Sequence, residues 1–95
     1  MADIATGATR WGTTHSVSFT STSAANSTAF AAGTRVVRVI SSTGCHLAQG
    51  ADPTATTSSP KLPALLPELL VVSPGEKIAA IRTTTSGTLW ITEVS

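Results

Sequence analysis

The chain has no tyrosine, one cysteine, one methionine, two phenylalanines and two tryptophans in 95 residues. Each scarcity excludes something. A single thiol, Cys45, can close no intrachain disulfide and supplies no multi-thiolate metal cluster. Six basic and five acidic side chains leave a net charge of +1, which builds neither a polybasic surface for a nucleic-acid backbone nor an acidic tail. Aromatics at 4% leave little for stacking bases on an open sheet. Long apolar runs are missing too. The greasiest stretch, Leu62 to Val72, is broken by Pro63 and Pro67 and is too short to span a bilayer. Met1-Ala2-Asp3-Ile4-Ala5-Thr6 carries an acid and no apolar run, unlike a secretion signal, so a soluble chain kept in a reducing compartment, or released without such a signal, is expected.

What the chain does have is alanine and hydroxyls. The apolar residues make up 41%, but 14 of them are alanine, and 12 serines with 17 threonines form the largest polar group. This balance is too apolar and too neutral for a disordered chain, yet it provides few large side chains for a core. One small domain that leans on neighbours is the expectation.

The apolar spacing has a period of two. His15-Ser16-Val17-Ser18-Phe19-Thr20 puts Val17 and Phe19 on one face and Ser16, Ser18 and Thr20 on the other. Thr34 to Ile40 reads as a central strand, with Val37 and Val39 opposed to Val36 and Ile40, and with Arg35 and Arg38 near its ends or paired. Cys45 to Gln49, Glu68 to Val72, Lys77 to Arg82 and Thr88 to Val94 read as further strands. Ser42-Thr43-Gly44 and Thr85-Ser86-Gly87 are turn signals, and Ser73-Pro74-Gly75-Glu76 has the proline-glycine centre of a type II turn. Ser21 to Thr28 reads as a loop or irregular edge, Ala51 to Lys61 as a loop, and Leu62 to Pro67 as an extended edge or docking segment. The expected fold is all-β: a small single-domain β-sandwich or barrel of six to eight short, mainly antiparallel strands. Residues 1–12 are expected as an N-terminal arm and 13–95 as the β domain.

No constellation carries catalysis. Cys45 and His46 are adjacent, which on a strand sends them to opposite faces, so a buried thiol beside an outward imidazole is expected instead of a dyad. His15, His46 and Asp52 lack the paired spacing of a zinc site. No serine sits in a G-x-S-x-G elbow, and the seven glycines are scattered singly, so there is no phosphate loop. Glu76 in a turn and Glu93 near the C-terminus read as solvated charges, and Phe19 and Trp90 as core. Asn26-Ser27-Thr28 matches a glycosylation sequon, and with no secretion signal expected the match is read as accidental. The chain is read as a non-enzyme without catalytic residues, metal or cofactor.

Two features point to a partner. Trp11 lies between Arg10 and Gly12 with no local apolar period; it either folds back over its own sheet or anchors an interface, where tryptophan and arginine are enriched. Leu65 and Leu66, between prolines, either cover the core or form a patch for a neighbour. Arg10, Trp11, Leu65 and Leu66 are the candidate interface residues.

Cys45-His46-Leu47-Ala48, Gly50-Ala51-Asp52-Pro53-Thr54-Ala55-Thr56 and Leu62-Pro63-Ala64 continue into Val72-Ser73-Pro74-Gly75-Glu76-Lys77-Ile78-Ala79-Ala80-Ile81 and Gly87-Thr88-Leu89-Trp90-Ile91-Thr92-Glu93. Together these resemble a group of small β-rich proteins encoded among the virion structural genes of tailed bacteriophages. The resemblance runs from Thr34 to Glu93. It implies a virion protein assembled in the host cytoplasm, a many-copy capsid decoration or cement protein. The expected partners are further copies of itself, a trimer favoured, and the major capsid protein or another virion protein, with neither nucleic acid nor membrane. A tail, fibre or neck component, including a glycan-binding module, is the alternative.

Overall fold

The computed structural model describes residues 11–94 and contains eight strands: β1 (Trp11–Phe19), β2 (Ala24–Ala25), β3 (Val36–Ser41), β4 (Cys45–Gly50), β5 (Lys61–Leu62), β6 (Glu68–Val71), β7 (Lys77–Arg82) and β8 (Gly87–Val94). They form two antiparallel four-stranded sheets, one ordered β1-β8-β3-β6 and the other β2-β7-β4-β5, packed as a sandwich and not closed into a barrel. Only β4 and β5 are neighbours both in sequence and in a sheet; every other connection passes from one sheet to the other.

Alternation fills the space between the sheets. Val17 and Phe19 from β1, Val37 and Val39 from β3, and Leu89 and Ile91 from β8 point inward from the first sheet. Cys45, Leu47, Leu62, Ile78 and Ala80 meet them from the second, and Phe30 and Val72 close the layer from the loops. The serines of β1 take the alternate positions and are exposed, because a one-residue step along a strand reverses the face. β3 lies inside its sheet, between β8 and β6. Arg35 sits just before it, its guanidinium donating to the carbonyls of Ala32 and Thr34.

Two elements differ from the sequence reading. β1 begins at Trp11, so Trp11 and Gly12 are strand, paired to β8 across a register shift before Thr14; residues 1–10 of the expected arm lie outside the described residues. The Leu62–Pro67 segment splits. Leu62 is a fully buried edge-strand residue, whereas Leu65 and Leu66 project into solvent, so only Leu62 covers the core. The Ser21–Thr28 stretch, in keeping with a loop or irregular edge, holds the two-residue edge strand β2 and buries Asn26, whose side-chain oxygen accepts from the Ile78 N–H at 2.9 Å while its amide nitrogen donates to the Thr28 carbonyl. That nitrogen, the one a glycan would take, is committed inside the protein.

The Ser73–Glu76 turn has its glycine where a type II turn needs a positive φ: Gly75 has φ 83°, and the Glu76 N–H donates to the Ser73 carbonyl. Gly87 is constrained differently. A β-carbon there would meet the hydroxyls of Thr43 and Ser42 and stand 3.1 Å from Phe19 Cζ. Those hydroxyls are already engaged, Ser42 accepting from the Thr88 N–H and Thr43 donating to the Thr85 carbonyl. Gly87→Ala should therefore lower stability by roughly 1–3 kcal/mol in denaturant titration. Gly33→Ala, where a β-carbon meets nothing within 4 Å, should leave the midpoint nearly unchanged.

Candidate functional site

The outer faces of the two sheets are treated differently. On the β2-β7-β4-β5 sheet the 51–60 loop lies across the outside. His46 points outward and its Nδ1 donates to the Ser59 carbonyl at 2.9 Å, and the Ala55 N–H donates to Ser23 Oγ at 2.8 Å. Ala55 and the outward Ala79 are buried as a result.

The other sheet has no such cover among the described residues. Its register sets outward side chains in rows: Thr14, Thr92, Arg38 and Leu69 in one, and Ser16, Trp90 and Ile40 in the next. Val94, Val36 and Val71 make a third row, which Trp11 joins at the β1 end. Leu69 and Val71 on β6 are 65% and 75% exposed, and Trp90 is 39% exposed. Trp11, at 58%, is stacked beneath the Arg38 guanidinium, 5.3 Å from the ring centroid. This cation–π contact gives Arg38 a partner in mid-strand, one that is not a carboxylate. Trp90 is thus an outward residue and not core: the inward positions of β8 are Leu89, Ile91 and Glu93, and Trp90 falls on the opposite parity.

Leu65 stands at a corner of the same sheet, its N–H donating to the Ser41 carbonyl at 2.8 Å. It adopts φ 58°, a left-handed conformation that costs a leucine of order 1 kcal/mol or more, while its side chain is 69% exposed. Of the expected interface residues, Arg10 lies outside the described residues. Trp11 and Leu65 occupy diagonal corners of the sheet and are not brought together. The residues that fill the space between them, Arg38, Leu69, Val71 and Trp90, were not singled out by the sequence. Their signal is the period of two in β3, β6 and β8, but it becomes a surface only once the three strands are aligned.

Glu93 is the second departure. Far from being a solvated terminal charge, it points inward and is 8% exposed. His15 Nε2 donates to one carboxylate oxygen at 2.7 Å, and the Thr34 hydroxyl and Ala31 N–H donate to the other. Phe30 meets the His15 ring edge-on at 5.5 Å. Burial alone would push the Glu93 carboxyl up; the hydrogen bonds from Thr34, His15 and Ala31, with the His15 charge, outweigh it and hold the group below its ordinary range. The hydroxyl donates to the carboxylate and not to the imidazole, so the constellation ties the 31–34 loop to β1 and β8 instead of activating a nucleophile.

Cys45 is fully buried in the core, and burial pushes its thiol up despite a hydrogen bond with Ser41. His15 and His46 belong to different sheets, and among the described residues no three histidine, cysteine or acidic side chains stand close enough to hold a metal.

No protein-family model matches the chain, and no curated protein or solved structure matches it significantly.

A carboxyl held low in the folded state stabilises it above the unfolded carboxyl's pKa of about 4.3, and that stability is lost as pH falls through the lower folded value. Denaturation midpoints measured from pH 7 to pH 3 should fall across this window in the parent chain. Glu93→Gln should show a shallower fall and, at pH 7, a loss of about 1–3 kcal/mol. At neutral pH a disulfide reagent should leave Cys45 unlabelled in the folded protein and titrate one thiol per chain in denaturant; rapid labelling without denaturant would contradict its burial.

Proposed function

We propose that this chain is a non-enzymatic structural protein of a tailed-phage virion, a capsid decoration or cement protein that packs onto the head in many copies through the open face of the β1-β8-β3-β6 sheet. The observation that carries this reading is that face. It holds Trp11, Trp90, Leu69 and Val71 exposed, with Leu65 and Leu66 at its corner, and it is an apolar surface of the kind that marks an interaction site. The face speaks for an interaction surface; that its partner is a phage head rests on the resemblance of segments within residues 34–93 alone.

The physical case is one of shared stability. A small domain with few large apolar side chains gains from burying the exposed ones against a shell, since whatever binds only the folded state stabilises it. Arg38 sits between Trp11 and Leu69 and supplies the charge on this face, while Thr14 and Ser16 on the edge strand β1 and Thr92 beside Arg38 provide neutral hydroxyls. Such a surface needs affinity and repetition, not a reactive group. A tail or fibre module that binds glycan is the second reading, favoured by two tryptophans on one hydroxyl-bearing face.

Quantitative mass spectrometry of purified particles should find hundreds of copies per virion, and added protein should co-sediment with heads lacking it. Six or twelve copies would mean a neck or tail connector instead. Trp90→Ser combined with Leu69→Ser should weaken head binding roughly tenfold or more while leaving the fold intact, because both side chains are already outside the core. Binding to a glycan array that Trp11→Ala abolishes would favour the second reading.

A further inference from the structure

The sandwich opens on the side where β5 and β6 are the edge strands of their sheets. A cleft of about 200 Å³ lies between them, lined on its apolar side by Leu47, Leu62, Leu70 and Ile78. Its two lips carry opposite charges, Glu68 on β6 and Lys61 on β5. Both side chains are exposed. Among the described residues the one close ion pair is His15–Glu93, so Glu68 and Lys61 pair neither with each other nor with another described residue. The strands that bear them are also sheet edges, which folded proteins commonly cover; on β6 the Val71 carbonyl accepts from Gln49 Nε2 at 2.9 Å across one end of the cleft, and the edge beside Glu68 and Lys61 stays open among the described residues.

We propose that this edge is the contact between copies of the chain, the Glu68 lip of one copy meeting the Lys61 lip of the next and the apolar cleft closing between them. The proposal deepens the many-copy reading above and rests on it for the occurrence of self-association. A second copy is the fitting occupant because one edge carries both halves of the charge match. Symmetry follows from the placement of the charges on different sheets. A rotation axis running along the strands sets β6 of one copy against β5 of its neighbour and joins unlike lips, in a two-fold or a three-fold ring. An axis perpendicular to the sheets would join β6 to β6 and β5 to β5, which sets like charges side by side. Wide acidic or basic partners would satisfy one lip and leave the other facing its own sign.

Sedimentation velocity of the purified full chain, from one to several hundred micromolar, tests this. The parent chain should form a dimer or trimer. Lys61→Glu and Glu68→Lys should each raise the dissociation constant roughly tenfold or more. The double variant Lys61→Glu/Glu68→Lys should recover association, because the pair is restored with its signs exchanged. Circular dichroism and thermal melts should show all three variants folded, since both positions are exposed. As a second measurement, Leu70→Lys, which places a charge in the cleft, should also disperse the oligomer. A parent chain that stays monomeric throughout, or an oligomer indifferent to both single reversals, would overturn the proposal. So would a double variant no more associated than the singles. Head binding measured in parallel separates the two readings: self-association without head binding removes the decoration role and keeps this contact, whereas head binding by a chain monomeric in solution and on the particle removes the contact alone.

Discussion

Strand β8 is the member on which the rest of the structure depends. It lies between β1 and β3, and its alternate residues divide three tasks. Leu89 and Ile91 enter the core, Glu93 receives the hydrogen bonds of His15, Thr34 and Ala31, and Trp90 and Thr92 face outward. Because side chains alternate strictly, a slip of one residue would expel both core residues and bury Trp90 in their place. Glu93 penalises that slip further. Removing its carboxylate from His15 and Thr34 would leave buried donors without an acceptor, which is costly in a water-poor layer. A charge near the chain's end thus helps to hold the register of the central strand.

The two outer faces differ in the size of their side chains. The β2-β7-β4-β5 sheet is rich in alanine on its outside, at Ala25, Ala48 and Ala79, and small side chains let the 51–60 loop lie close. Large side chains occupy the outside of the other sheet, in rows of valine, leucine and tryptophan around Arg38. The scarce large apolar residues are therefore divided between the core and this surface. A chain with so few of them loses internal stability by exposing any, which makes the open face difficult to account for as mere surface. Leu65 adds to the case from an independent direction, since a strained backbone and an exposed leucine are two unfavourable features at one position.

Much of the strand content was legible in the residues. Lys77 to Arg82 is a strand with the expected limits, Val17 and Phe19 point inward opposite exposed serines, and the proline-glycine turn has its positive φ at Gly75. Burial of Cys45 with His46 turned outward followed from adjacency on a strand. The misreadings share one cause. Residue type and chain position suggest a core Trp90 and a solvated Glu93, but both are decided by parity against distant neighbours, Ser16 and Ile40 for Trp90 and His15 and Val37 for Glu93. Trp11 looked like part of an arm because its strand partner, Val94, lies at the other end of the chain.

By itself, then, the sequence determined an all-β domain: its period of two, its β-branched runs and its turn residues act over a few neighbouring positions. Its want of cysteine and charge likewise limited the chemistry open to the chain. Only the tertiary structure decided which strands became neighbours, because almost every connection crosses between sheets and the pairing contacts are remote in sequence. From that pairing come the buried Glu93, the open apolar face and the cleft with its two charged lips. Each is made of residues that no local pattern joins, and each exists because hydrogen-bonded register sets distant side chains side by side.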